Sequence, residues 1–66
     1  MAKYFMYASK HFKLCVYARS RRAADQYVKD CAMHSLAHRE LKFMGEGIPP
    51  ENEHSWVMAN AFWSGY

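Results

Sequence analysis

Phe12-Lys13-Leu14-Cys15-Val16-Tyr17-Ala18-Arg19-Ser20-Arg21-Arg22-Ala23-Ala24-Asp25 contains the change of period that decides the fold. From Phe12 to Arg19, side chains alternate with period two, so Phe12, Leu14, Val16 and Ala18 share one face of a strand and Lys13, Cys15, Tyr17 and Arg19 the other. The apolar set predicts the core face. The remaining row, with Lys13, Tyr17 and Arg19, predicts a basic, aromatic outer face. After Ser20, a residue suited to N-capping, the spacing becomes helical. Ala24, Tyr27, Val28, Cys31 and Ser35 form a stripe for packing on the sheet. Arg22, Gln26, Lys29, Asp30 and Met33 fall on the solvated side, with Asp25 and Lys29 placed as an i,i+4 pair. The pattern predicts a helix ending near Ala37, where His34, His38 and Arg39 suit the negative pole of the dipole.

Upstream, Lys3-Tyr4-Phe5-Met6-Tyr7-Ala8 is rich in strand-forming aromatics, and Ser9-Lys10-His11 is short enough to close a hairpin. Downstream, a third strand is expected from Arg39 or Glu40 to Met44, with Leu41 and Phe43 on one face and Glu40, Lys42 and Met44 on the other. Gly45-Glu46-Gly47-Ile48-Pro49-Pro50 is expected to break regular structure. The tail, Ser55 to Trp63, reads in two ways. Its composition favours a fourth strand, hairpinned to the third across the Pro-Pro loop, whereas the prolines followed by Glu51 and Glu53 resemble a helix start. The expected architecture is α+β: one domain over residues 1–66, an antiparallel sheet with a single main helix on one face, in the order ββαββ, with ββαβα as the alternative.

Sixty-six residues leave room for one small core and no deep cleft. A hydrophobic fraction of 52% and an aromatic fraction of 17% favour a packed domain over a disordered chain. The formal net charge of +3 is a mild basic bias, compatible with nucleic acid or an acidic protein as partner. Apolar runs are short and the N-terminus has no secretory pattern, so a cytoplasmic protein with reduced Cys15 and Cys31 and no membrane contact is expected.

Arg19, Arg21 and Arg22 crowd the start of the expected helix, where the dipole already carries about half a positive charge and exposed bases cost roughly 0.3–1 kcal/mol each. Guanidinium forks beside free helix N–H groups suit phosphate or carboxylate, so the cluster is a candidate partner-binding site. Lys13 and Tyr17 extend it along the outer row. Lys3, Tyr4, Phe5, Tyr7, Lys10 and His11 continue the mixture of rings and bases that sheet faces use to bind single strands. Trp56 and Trp63 in the apolar tail are candidates for a protein interface, and an unprotected edge strand there invites pairing into a homodimer. Cys31-x-x-His34-x-x-x-His38 has metal-like spacing but needs a further ligand from Cys15, His11 or His54. Core packing and helix-end charge account for these residues, and no metal or cofactor is expected. Neither a phosphate loop nor a nucleophile elbow occurs, so no catalytic residue is assigned and the chain is not expected to be an enzyme.

The order hairpin, helix, strand and strand, with Val16-Tyr17-Ala18-Arg19-Ser20-Arg21-Arg22-Ala23-Ala24-Asp25 at its junction, resembles small phage-encoded proteins that disable host machinery. These are the type I anti-CRISPR proteins and the phage inhibitor of bacterial RNA polymerase. The resemblance covers roughly residues 3 to 44 and is architectural, so no contact residue is carried over from either group. It implies a non-catalytic plug that blocks a bacterial CRISPR surveillance complex or its nucleic-acid channel, as mimic or competitor. Host RNA polymerase is the second target it implies, and a stand-alone nucleic-acid-binding module is the further alternative.

Overall fold

The computed structural model describes residues 2–10, 12–32, 40–53 and 55–66. Its elements are β1 (Lys3–Ala8), β2 (Lys13–Ala18), α1 (Arg21–Ala32), β3 (Lys42–Glu46) and β4 (Trp56–Asn60). The α+β class is as expected, with four strands and one main helix. The sheet order is β3-β1-β2-β4, with β1 antiparallel to both β2 and β3. Strands β2 and β3 therefore run the same way on either side of β1, joined through α1 in a split crossover.

Alternation in β2 works as the sequence predicts on its core side. Leu14, Val16 and Ala18 are buried together with Phe5 and Tyr7 of β1, beneath Ala24 and Val28 of α1. The β1–β2 turn is held by Ser9, whose backbone N–H donates to the Phe12 carbonyl at 2.7 Å and whose Oγ accepts from the Phe12 N–H at 3.1 Å. Ser20 caps α1 as expected: its Oγ accepts from the Ala23 N–H at 3.1 Å and its carbonyl from the Ala24 N–H at 3.0 Å. The expected helix end, Ser35 and Met33 in the helical pattern, and the Cys31–His34–His38 spacing with His11 and His54 lie partly or wholly outside the described residues.

Two features of the sheet differ from expectation. The first is β4, which does not hairpin with β3; it lies on the opposite edge, parallel to β2, so the sheet is mixed. The crossover through α1 sends β3 beyond β1 and leaves the outer edge of β2 open for another strand. Neighbouring strands are about 4.8 Å apart, so crossing from β3 to β4 takes roughly 14 Å. Residues 47–55 can extend to about 30 Å, ample for the passage. The second is β3, which runs on through Gly45 and Glu46 rather than stopping at Met44. Met6 faces Gly45 while Tyr7 faces Phe43, so Met44 is an extra residue in a bulge. Gly45 adopts φ 131°, which a side chain would resist. The glycine that was expected to end the strand bends it instead.

A strap from Gly47 to Glu53 crosses the sheet face away from α1. Its Gly47 N–H donates to the Tyr4 carbonyl at 2.9 Å, its Gly47 carbonyl lies 3.9 Å from Cys15 Sγ, and Glu53 reaches Lys13 Nζ at 3.2 Å. Cys15, expected on the outer row, is consequently 0% exposed. A one-helix sheet would otherwise leave that thiol in solvent.

The chain closes by turning after β4. Ala61 is buried, and the Tyr66 N–H donates to the Ala61 carbonyl at 3.1 Å. The Tyr66 ring meets Tyr27 edge-on at 5.7 Å, and its hydroxyl donates to Asp30. Asp30 is thus a tether for the tail, not part of a free solvated face. Asp25 likewise departs from the expected pairing with Lys29. It accepts a hydrogen bond from the Tyr7 hydroxyl in the core and pairs with Arg21 at 3.7 Å, one helical turn earlier. No described helix is long and apolar enough to cross a membrane.

Candidate functional site

The face opposite α1 carries a row of rings that runs across the strands. Tyr4 and Tyr17 are register partners on β1 and β2, and their ring centroids are 4.7 Å apart. Next to Tyr17 comes Phe62, at 6.4 Å and steeply inclined. Its position follows from the ladder, because the Phe62 N–H donates to the Tyr17 carbonyl at 3.1 Å and so extends the β2–β4 pairing past Asn60. Trp63 then sets its ring edge-on to Phe62 at 5.0 Å and is 78% exposed.

Arg19 completes the row. It leaves β2 on the same face as Tyr17, and its guanidinium carbon sits 4.6 Å over the Phe62 ring. Stacking of this kind restrains the long side chain while leaving its N–H donors free for an anion. The row therefore offers ring surface and a forked cation together. Such a surface can stack on a base or an aromatic side chain while binding a neighbouring phosphate or carboxylate.

The same face ends, at the start of β2 and β4, in a second cation–ring pair. Lys13 Nζ lies 5.8 Å from the Trp56 ring centroid. Glu53 ties both down, accepting from Trp56 Nε1 at 2.7 Å and from Lys13 at 3.2 Å. Those donors, Trp56 foremost, hold the Glu53 carboxyl below the usual carboxylate range. Here the cation is paired and anchors the strap, whereas Arg19 meets no carboxylate among the described residues.

The three arginines that cluster in sequence separate in space. Arg21 lies with its guanidinium carbon 3.8 Å over Phe43 of β3 and pairs with Asp25, covering the rim of the core beside α1. Arg22 is exposed on the first helical turn, beside an open concavity that it shares with Arg21, Asp25, Gln26 and Lys29. Only Arg19 reaches the aromatic row. Of the candidate residues, Arg19, Tyr17 and Trp63 come together; Lys13 and Trp56 form the opposite end of that face; Arg21 and Arg22 belong to the helix side.

Tyr4, already among the rings and bases expected on a binding face, joins the site, and Phe62 completes it although sequence reasoning did not place it there. Continuing the alternation of Met58 and Asn60 by one step would have put Phe62 on the Tyr17 face. The role of Glu53 had no comparable signal, since it depends on where the strap lands. Among the described residues no three His, Cys, Asp or Glu side chains gather as a metal site would require. Burial pushes the Cys15 thiol above its ordinary range, and Tyr27 is raised by burial and by the neighbouring Cys31.

Comparison of the chain with protein-family models, with curated proteins and with solved structures finds no match.

Proposed function

We propose that this chain is a small cytoplasmic, non-enzymatic binding protein that inhibits a bacterial nucleic-acid-handling complex, in the manner of an anti-CRISPR protein. The row Tyr4–Tyr17–Phe62–Trp63 with Arg19 is its docking surface. The observation that carries this reading is the Arg19–Phe62 stack within that row. A cation held over an aromatic row presents to a partner the pairing of flat apolar surface and forked charge that nucleic acid itself meets in a binding channel. Free cysteines at positions 15 and 31 are in keeping with a reducing compartment. The resemblance of the hairpin–helix–strand order to phage inhibitors supplies the class of target, with a CRISPR surveillance complex first and host RNA polymerase second.

Affinity capture from lysates of bacteria that carry a type I CRISPR system tests the reading. Wild-type protein should retain subunits of the surveillance complex. Arg19→Glu should lose them while Arg22→Glu keeps them. Retention of polymerase subunits instead would move the target to the second candidate. Equal retention by wild type and Arg19→Glu would remove the row from any role in docking.

A further inference from the structure

The two edges of the sheet are defended unequally. β3 carries Lys42 and Glu46, contains the Met44 bulge and pairs Glu46 with Lys3 at 3.6 Å. Charges and bulges of this kind discourage the approach of another strand. β4 (Trp56–Asn60) has none of them: its sequence is Trp-Val-Met-Ala-Asn, and its register with β2 is unbroken from Trp56 to Asn60. Among the described residues no strand lies beside its outer edge. It is also apolar on both faces, with Val57 46% exposed on the side of α1 and Met58 56% exposed on the strap side.

The charges at its two ends differ in sign. Ahead of β4 are Glu53, committed to Lys13 and Trp56, and exposed Glu51, which is in no ion pair among the described residues. Beyond it is Arg19, stacked on Phe62. An antiparallel pairing of two such strands centred near Met58 sets Trp56 opposite Asn60 and turns the Glu51 end of one copy toward the Arg19 end of the other. A parallel, in-register pairing would place Glu51 beside Glu51. Charge therefore selects the antiparallel two-fold arrangement, in which one patch meets itself.

We propose that a second copy of this chain pairs antiparallel along β4, joining two four-stranded sheets into one. The dimer then displays two Arg19 rows on one continuous face, which doubles the docking surface without burying the Tyr4–Tyr17 part of it. The proposal does not depend on the identity of the target.

Sedimentation velocity from micromolar to near-millimolar protein tests it. Wild type should shift from 7.8 kDa to twice that mass. Val57→Lys and Met58→Lys, each placing two like charges near the axis, should each raise the dimer dissociation constant about tenfold or more. Met44→Lys on the other edge should leave it unchanged. Circular dichroism establishes that each variant is folded. Amide exchange on the wild type gives a readout free of substitution, since β4 amides should slow as concentration rises while those of β3 do not. A wild type that stays at 7.8 kDa overturns the proposal. So does dimerisation unaffected by either folded β4 variant, or β4 amides whose exchange ignores concentration; a mass that rises only when another protein is added makes β4 a site for a foreign strand instead.

Discussion

Leu14 and Val57 are register partners on neighbouring strands and point to the same face of the sheet, yet the fold assigns them very different weights. Leu14 is 2% exposed beneath α1, while Val57 lies on the edge strand and is nearly half exposed. Truncating a buried leucine to alanine removes its transfer free energy and leaves a cavity, together about 2–5 kcal/mol. A domain of this length has a total stability of only about 3–10 kcal/mol. Leu14→Ala should therefore remove a large fraction of it. Val57→Ala deletes methyl groups that are already about half hydrated, on an edge that can relax around the loss, which should cost under about 1 kcal/mol. Urea denaturation followed by tryptophan fluorescence, at protein concentrations low enough to exclude association, measures both. With a slope of about 1 kcal/mol per molar urea, the midpoint should fall by about 2 M or more for Leu14→Ala and by less than about 1 M for Val57→Ala. Equal losses would mean that Val57 is covered as fully as Leu14, which an edge position for β4 forbids.

Three other perturbations probe the contacts that hold the strap, helix and core. Tyr7→Phe removes the hydroxyl that donates to Asp25 and should cost about 1–2 kcal/mol in the same assay. Burial and the Asp25 bond raise the Tyr7 pKa, so the stability it contributes is complete below about pH 10, its unfolded range, and is lost as pH rises toward the folded value. The wild type should lose more stability at high pH than Tyr7→Phe does, and parallel alkaline profiles would count against the bond. Glu53 is the opposite case: its lowered pKa makes its contribution complete above its unfolded value of about 4.5 and lost as pH falls through the folded one. Trp56 fluorescence should report this acid transition in the wild type, and Glu53→Gln should abolish it. Thiol labelling should find Cys31 reactive in the native state and Cys15 protected until the strap opens, since Cys15 is fully covered and its thiol pKa is raised; equal rates would show that the strap does not cover it.

The local structure was legible where a single stretch of chain determines it. The switch from alternation to helical spacing at Ser20 set β2, its core face and the cap of α1 without reference to anything distant. Pairing of β4 was not legible, because Trp56–Asn60 has strand character that suits either open edge. The choice depends on the crossover through α1 and on a strap whose anchor, Glu53, meets Lys13 forty positions away in sequence. The candidate site divided along the same line. Alternation placed Arg19 beside Tyr17, but nothing local to Arg21 foretold that Phe43 would arrive from β3 beneath it. The local readings of Asp30 as solvated and of Asp25 as the partner of Lys29 miss their contacts for the same reason, since Tyr66 and Tyr7 come from the two ends of the chain.

Capture of target DNA by a purified type I surveillance complex, followed by gel shift in the presence of this protein, bears on the Arg19 row without the complexity of a cell. Wild-type protein should suppress the shift in a dose-dependent way, Arg19→Glu should fail to do so at the same concentrations, and Arg22→Glu should match the wild type. Suppression that is identical for wild type and folded Arg19→Glu, or no suppression by the wild type at any concentration, would contradict the assignment of this face as the inhibitory surface.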